Sequence, residues 1–215
     1  MLKETFSYSG GPEFNAAISR VTLAVATQQD REVIYQIRHV VYAGELGQYL
    51  SNPSGRLTDR LDDWNIYLVA KNDSKILGFI SITPPRRPSY SIDKYFDRAQ
   101  LPFACTDALF EIRLLTVVAA HRRRALALLL MYAAFRWVES HGGEHVVAIG
   151  RRFFHPPLDR VERSPQRRRI RFDHKEQQIF LRVRRIECSD LKRFQKFFAR
   201  EGSVIALAPF AWPAE

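Results

Sequence analysis

Cysteine is almost missing from this chain. Two occur in 215 residues, Cys105 and Cys188, and neither sits in a Cys-x-x-Cys pair or a Cys/His cluster, which excludes a zinc module and a disulfide-stapled scaffold. Long apolar runs are missing too. The longest, Ala125 to Phe135, has 11 residues, too few for a helix that crosses a bilayer. The first residues lack the basic-then-apolar order of a secretory leader. A soluble, cytoplasmic protein with reduced thiols and no bound metal is expected. A chain of this length buries roughly 70% of its unfolded surface and needs no covalent staple.

Acidic residues are in short supply: 23 Asp and Glu face 33 Lys and Arg, a net charge of +10. The excess is concentrated. Between Arg151 and Arg185 stand 12 basic residues and four acids (Asp159, Glu162, Asp173 and Glu176), so +8 of the +10 lies there. Such a field steers an anionic partner toward one region. Hydrophobic residues at 46% and charged residues at 26% are close to globular averages and exclude wholesale disorder.

Residues 1–19 show no period and read as a tail, leaving 20–215 as a single domain with a basic insertion at about 151–176. Val21–Ala26 is a short β-rich run. A helix opens near Asp30, with apolar residues at Val33, Ile34, Ile37, Val40 and Val41. Gly44 to Thr58 reads as a long loop. Asn65–Lys71 and Lys75–Thr83 flank Asn-Asp-Ser and form a hairpin signal. A short helix is expected at about Asp93–Arg98. Leu109–Val118 is the strongest strand, Ala125–Ser140 a helix stopped by Gly142 and Gly143, and Glu144–Ile149 a buried strand, which together make a βαβ unit. A basic loop, a strand at Gln178–Ile186, a helix at Asp190–Arg200 and a strand at Val204–Ala208 follow. The order implies an α/β (α+β) fold, a mixed sheet with helices on its faces.

The junction from Leu115 to Ala127 carries the chemical signal. Ala125 and Ala127 let a ligand approach the start of a helix whose free N–H groups and dipole favour a phosphate. Arg122, Arg123 and Arg124 add charge-assisted donors.

This segment resembles the acyl-CoA-binding motif of the GNAT superfamily of N-acyltransferases. Leu115, Val117, Arg122, Leu126, Ala127 and Leu130 fall in register, while Ala119 replaces a common proline and Ala125 a usual glycine. The likeness extends, over about residues 21–155, to the acyl-homoserine-lactone synthases and N-acyl amino acid synthases. Arg38 and Tyr42, Asp59 and Asp62, Tyr67-Leu68-Val69-Ala70, Gly78, Thr83-Pro84, and Glu111 with Arg113 keep the order of those families' motifs. Ser81 stands where an arginine is expected, which argues against the lactone synthases' own acceptor.

The resemblance implies a GNAT-like, mostly antiparallel sheet and transfer of an acyl group from a thioester donor to a small-molecule amine. The donor is acyl-CoA or acyl-phosphopantetheine, used as co-substrate with no permanently bound cofactor. Donor contacts fall at Leu115, Val117, Val118, Arg122, Arg123, Arg124, Ala125, Leu126 and Ala127, with backbone N–H groups near Val117 or Val118 polarising the thioester. Acceptor contacts fall at Arg38, Tyr42, Asp59, Asp62 and Arg113, and Glu111 is the candidate general base. The basic 151–185 region would suit an acidic acyl carrier protein.

Each position also has a plainer reading. Glu111 and Arg113 share a strand face and are a functional or a structural pair. Asp59 and Asp62 are ligands or loop caps. Arg38 and Tyr42, four apart on a helix, share a face. Phe103, Phe110, Phe153 and Phe154 line an acyl pocket or an ordinary core. His155 and Cys105 are read as structural. The competing function class is a nucleic-acid-binding module built on Arg167–Arg171, although no recognition motif accompanies the charge; a third is a GNAT-like domain that binds without catalysing.

Overall fold

The computed structural model describes residues 5–6, 21–95, 97–100, 104–122, 124–151, 167–174 and 177–185. Its strands are β1 (Thr5–Phe6), β2 (Val21–Val25), β3 (Ile66–Asn72), β4 (Lys75–Thr83), β5 (Leu109–Val117), β6 (His145–Arg151), β7 (Arg167–His174) and β8 (Gln177–Arg185). They form one eight-stranded sheet in the order β1-β2-β3-β4-β5-β6-β8-β7. Every neighbouring pair is antiparallel except β5 and β6, which run parallel. The mixed, mostly antiparallel sheet flanked by helices is the fold expected above.

Helix α1 (Gln28–Arg38) begins at a reciprocal cap. Asp30 N–H donates to the Thr27 hydroxyl at 3.2 Å while Thr27 N–H donates to the Asp30 carboxylate at 2.9 Å, which satisfies two otherwise orphaned donors. Beyond Arg38 the helix widens over His39–Glu45, where Leu46 N–H reaches the Val41 carbonyl at 2.9 Å and Gln48 N–H the Tyr42 carbonyl at 2.8 Å. Bonds that span five or six residues turn this stretch relative to α1. Helix α2 (Arg124–Ser140) joins β5 to β6, as a parallel pair requires, and ends at Gly142, whose φ of 75° suits the left-handed stop.

The helices take opposite faces. α2 packs on β3, β4 and β5 through Leu126, Leu130, Ala133, Ala134 and Val138, meeting Leu68, Ile80, Ile82, Phe110 and Ile112. α1 covers the other face, where Ile34 and Tyr35 meet Tyr67, Val69, Ile76 and Phe79. β4 is buried on both sides from Ile76 to Thr83, so its apolar run is continuous rather than alternating. Each fully buried Ile or Leu contributes roughly 1.5–3 kcal/mol relative to exposure.

Three local readings differ from the sequence expectation. The short helix is two single turns, Ser91–Lys94 and Arg98–Gln100. The Arg167–His174 stretch, read as basic loop, is a strand: Ile170 and Phe172 alternate with charged residues at the period of two that a strand needs. Thr5–Phe6, read as tail, pairs with β2. The expected helix at 190–200 and strand at 204–208 lie outside the described residues.

Candidate active site

Polar residues gather on the α1 face of the sheet. Tyr67, Ser81 and Arg113 are register partners across β3, β4 and β5, and Thr83 pairs with Glu111 one step along. α1 delivers Arg38 to this row, and the 59–62 turn delivers two carboxylates. Arg38, only 2% exposed, donates to Asp62 and to Asp59 at 2.9 Å and to the Tyr67 hydroxyl at 3.0 Å. Tyr67 donates to Asp62 at 2.5 Å, and Arg113 ion-pairs with Asp59. Asp59 thus joins the helix arginine to the strand arginine. The four expected acceptor-site charges form one cluster, two positive and two negative.

Buried pairs of this kind gain little net stability, because desolvation offsets attraction, yet removing one partner costs about 3–5 kcal/mol. Their value here is positional. For Asp59, burial works against ionisation, but the Arg113 and Arg38 guanidinium groups outweigh it and hold the carboxyl below its ordinary range. For Arg38, burial is likewise overcome, by Tyr67 and the two aspartates, and its basicity rises. Burial pushes the Tyr67 hydroxyl far up and the Tyr42 hydroxyl up, so both stay protonated donors.

Beside this cluster β5 breaks its register. Phe79 pairs with Thr116 and Ser81 with Arg113, so Leu114 and Leu115 together oppose Ile80, a β-bulge. Leu114 has φ of 54°, a left-handed conformation that costs a leucine about 1–3 kcal/mol. The Thr116 hydroxyl donates to the Leu114 carbonyl at 3.0 Å, and the Tyr42 hydroxyl lies 2.9 Å from Thr116 Oγ1. Arg38 and Tyr42, read as sharing a helix face, therefore serve different partners because the helix widens between them.

The bulge falls where β5 and β6 part. Their pairing runs from Leu109 with His145 to Ile112 with Ala148; beyond it β5 continues to Val117, while β6 continues to Arg151 paired with β8. A gap between parallel strands thus opens directly next to the Arg38–Asp59–Arg113 cluster.

Glu111 has a different setting from the one a general base needs. It is fully buried and accepts from Ser91 N–H at 2.9 Å, the Ser91 hydroxyl at 2.6 Å, Ile92 N–H at 3.0 Å and the Thr83 hydroxyl at 3.2 Å. Both carboxylate oxygens are thus engaged by buried donors, with the single Thr83 proton shared between Glu111 and Asn65 Oδ1 at 2.8 Å. Glu111 anchors the 91–92 turn to the sheet.

At the β5–α2 junction, Arg124 to Ala127 are the first four residues of α2, whose N–H groups have no acceptor within the helix. Arg122 is exposed; it donates to the Val117 carbonyl at 3.2 Å and ion-pairs with Glu45. The Val118 N–H, one of two expected thioester contacts, is spent on the Leu77 carbonyl at 2.9 Å. Leu126 is buried in the main core, so its side chain serves packing and only its N–H belongs to the helix start. Leu115 and Val117 also flank that core. Phe110 is core, stacked edge-on to Trp137 at 6.1 Å, and Cys105 is exposed rather than packed. Arg123, Phe103, Phe153, Phe154, His155 and Cys188 lie outside the described residues.

Thr116, Leu114 and Ser91 were not singled out from the sequence. A bulge inside Leu-Leu leaves no mark on the hydrophobic pattern, and the bonds of Glu111 to Ser91 and Ile92 depend on a turn about 20 residues away in the chain.

A mixed sheet whose parallel central pair diverges beside a βα phosphate-type junction is the architecture of a coenzyme-dependent acyltransferase. A sequence model described as the acetyltransferase (GNAT) family matches residues 32–154, more than half the chain, and the chain belongs to that family of N-acyltransferases. Among curated protein sequences, none matches. Among solved structures, a CoA-dependent acyl-homoserine lactone synthase, BjaI, with SAM and isopentyl-CoA is 22% identical over 81% of this chain and 83% of its own, with a TM-score of 0.67. The CoA-dependent synthase MesI is 14% identical over 86% and 100%, with a TM-score of 0.66. A putative N-acetyltransferase from Lactobacillus plantarum is 14% identical over 78% and 99%, with a TM-score of 0.54. These likenesses are of fold. Among the described residues, no helix is long and apolar enough to cross a membrane, and no group of His, Cys, Asp and Glu is arranged to hold a metal ion.

Proposed function

We propose that residues 20–215 form a single acyltransferase domain that moves an acyl group from a thioester donor to the amine of a small, zwitterionic molecule such as an amino acid. The observation that carries this is the opening between β5 and β6 beyond Ile112 and Ala148, with the α2 start at one end and the Arg38–Asp59–Arg113 cluster at its side. Donor phosphates suit the free N–H groups of Arg124 to Ala127 and the guanidinium of Arg122. The thioester then lies in the opening. The cluster has both signs of charge to offer an acceptor that has both, through Arg113 for a carboxylate and Asp59 for an ammonium, with the buried Arg38 holding Asp59 in place. Isopentyl-CoA and SAM in the BjaI structure support a donor of this kind and a charged acceptor.

In the transfer, the bound ammonium first releases one proton to solvent; the neutral amine nitrogen then forms a bond to the thioester carbon, the C–S bond breaks, and its electron pair leaves with sulfur. The amine proton ends on the thiolate or on solvent. No enzyme nucleophile is needed, and the protein's contribution is orientation and a donor at the developing oxyanion. Glu111 supports this as an anchor of the wall rather than as the base. The basic 151–185 region is part of the proposal as a docking surface for an acidic acyl carrier protein, with transfer in the cytoplasm.

The test is thermal stability of the pure protein against acetyl-, octanoyl- and palmitoyl-CoA and an acyl carrier protein. A donor at a hundred times its dissociation constant adds about 2.7 kcal/mol, which raises the melting point by roughly 5–10 °C for a chain of this size. A rise with CoA esters that grows with chain length supports a CoA donor. A rise with the carrier protein alone, lost in high salt, supports the basic docking surface. No rise with any donor removes the acyl-transfer reading.

A further inference from the structure

We infer that Tyr42 and Thr116 are positioning residues: a two-hydroxyl relay that holds the Leu114–Leu115 peptide in the orientation acyl transfer requires. The inference rests on the acyl-transfer reading above, and it concerns residues for which no such role follows from the fold alone.

The relay has a fixed direction. The Thr116 hydroxyl donates to the Leu114 carbonyl at 3.0 Å, so its one proton is committed. The Tyr42 hydroxyl, 2.9 Å from Thr116 Oγ1, is then the donor of that pair. Tyr42 reaches Thr116 because the helix widens after Arg38. The relay ends on the carbonyl of a leucine at φ of 54°, a conformation that persists only where its surroundings enforce it. Leu114 also packs against the α1-side core, which traps its side chain while the relay traps its carbonyl.

The Leu114 carbonyl and the Leu115 N–H belong to one planar peptide and point to opposite sides. Fixing the carbonyl fixes the N–H. This peptide lies just past Ile112, where β5 stops pairing with β6, and so borders the opening in which the thioester sits. The Val118 N–H is already given to Leu77, and on this inference the Leu115 N–H of the bulge is the donor that polarises the thioester carbonyl. Tyr42 and Thr116 touch neither substrate; they act through that peptide.

Three variants separate this from other roles. Thr116→Val keeps the shape and deletes both bonds; Thr116→Ser keeps the hydroxyl; Tyr42→Phe deletes only the outer bond. The expected result is that Thr116→Val lowers kcat about 10- to 100-fold, the scale of a misplaced reactive group, with KM for acyl-CoA changed less than about threefold. Thr116→Ser recovers most of the loss. Tyr42→Phe has a smaller effect on the wild type and none on Thr116→Val. A normal kcat in Thr116→Val, a defect confined to KM, or a full Tyr42→Phe loss in the Thr116→Val background would overturn the relay. Amide hydrogen exchange over residues 113–117 of the free protein gives a readout that needs no turnover: exchange faster in Thr116→Val and Tyr42→Phe but not in Thr116→Ser supports the relay, and unchanged exchange refutes it. An inactive wild type with this exchange pattern would sink the acyl-transfer reading and leave the relay standing.

Discussion

Glu111 and Asp59 are both carboxylates near the opening, and their surroundings set them different tasks. Glu111 is enclosed by two N–H groups and two hydroxyls, so Glu111→Gln would turn an amide NH2 toward donors and replace charge-assisted bonds with weaker ones. The loss is about 2–4 kcal/mol, or roughly 5–15 °C in melting point at this length, and with the 91–92 turn released the wall of the site goes with it. A differential scanning trace decides the matter. Full stability combined with a lost acidic limb in the pH–rate profile would mean that Glu111 is the general base after all.

Asp59 bridges two arginines, and its folded-state carboxyl titrates below the ordinary value. A carboxylate with a lowered folded pKa stabilises the protein above its unfolded value of about 3.9, and that stability is lost as pH falls through the folded value. Asp59→Asn is therefore less stable than the wild type at pH 7, and the gap narrows below about pH 4. Asp30, lowered in the same direction by Lys71 and the α1 cap despite the opposing effect of burial, remains in both proteins, so the acid limb persists in the variant in reduced form. Urea unfolding from pH 2.5 to pH 7 measures this; a gap that stays constant across the range contradicts it.

Among the elements, β4 and β5 approach each other closely at Gly78. A Cβ placed on Gly78 would lie 2.7 Å from the Thr116 carbonyl oxygen, a backbone atom, and 3.1 Å from Leu130 Cδ1. No rotamer relieves the backbone contact. Gly78→Ala is expected to push the two strands apart at the bulge, costing on the order of 1–3 kcal/mol, and to slow turnover by more than the stability loss explains. Equal activity per folded molecule in wild type and variant would show that the strand spacing does not set the site. The strands themselves were readable from the residues: Lys75–Thr83 has the bounds expected for it, and Leu109–Val117 differs by one residue. Long apolar runs with turn residues between them specify a strand whatever it packs on. The bulge was not readable, since two leucines in a buried strand look the same whether they alternate or slip. Arg167–Arg171 is the opposite case, because its charge density resembles a solvated loop while Ile170 and Phe172 keep the period of two of a strand.

For the whole molecule, the fold brings four of the singled-out charges together and gives Glu111 a set of partners the sequence did not suggest. Arg38, Asp59, Asp62 and Arg113 were legible as a set because motif order along a chain survives folding, and the structure joins them by salt bridges. The use of Glu111, and the two hydroxyls that brace Leu114, became visible only when strands distant in sequence were brought into register.

Among the described residues, the two outermost strands of the sheet are both poor templates for another chain. One, β1, is two residues long, and the other, β7, contains four arginines among its eight residues. Short or strongly cationic edges resist edge-to-edge pairing with a second sheet. An eight-stranded sheet of this kind has many buried apolar strands to protect while it forms. The arginines of β7 are thus expected to act as insulation as well as a field, so that their replacement by neutral residues increases aggregation on refolding, as light scattering would measure.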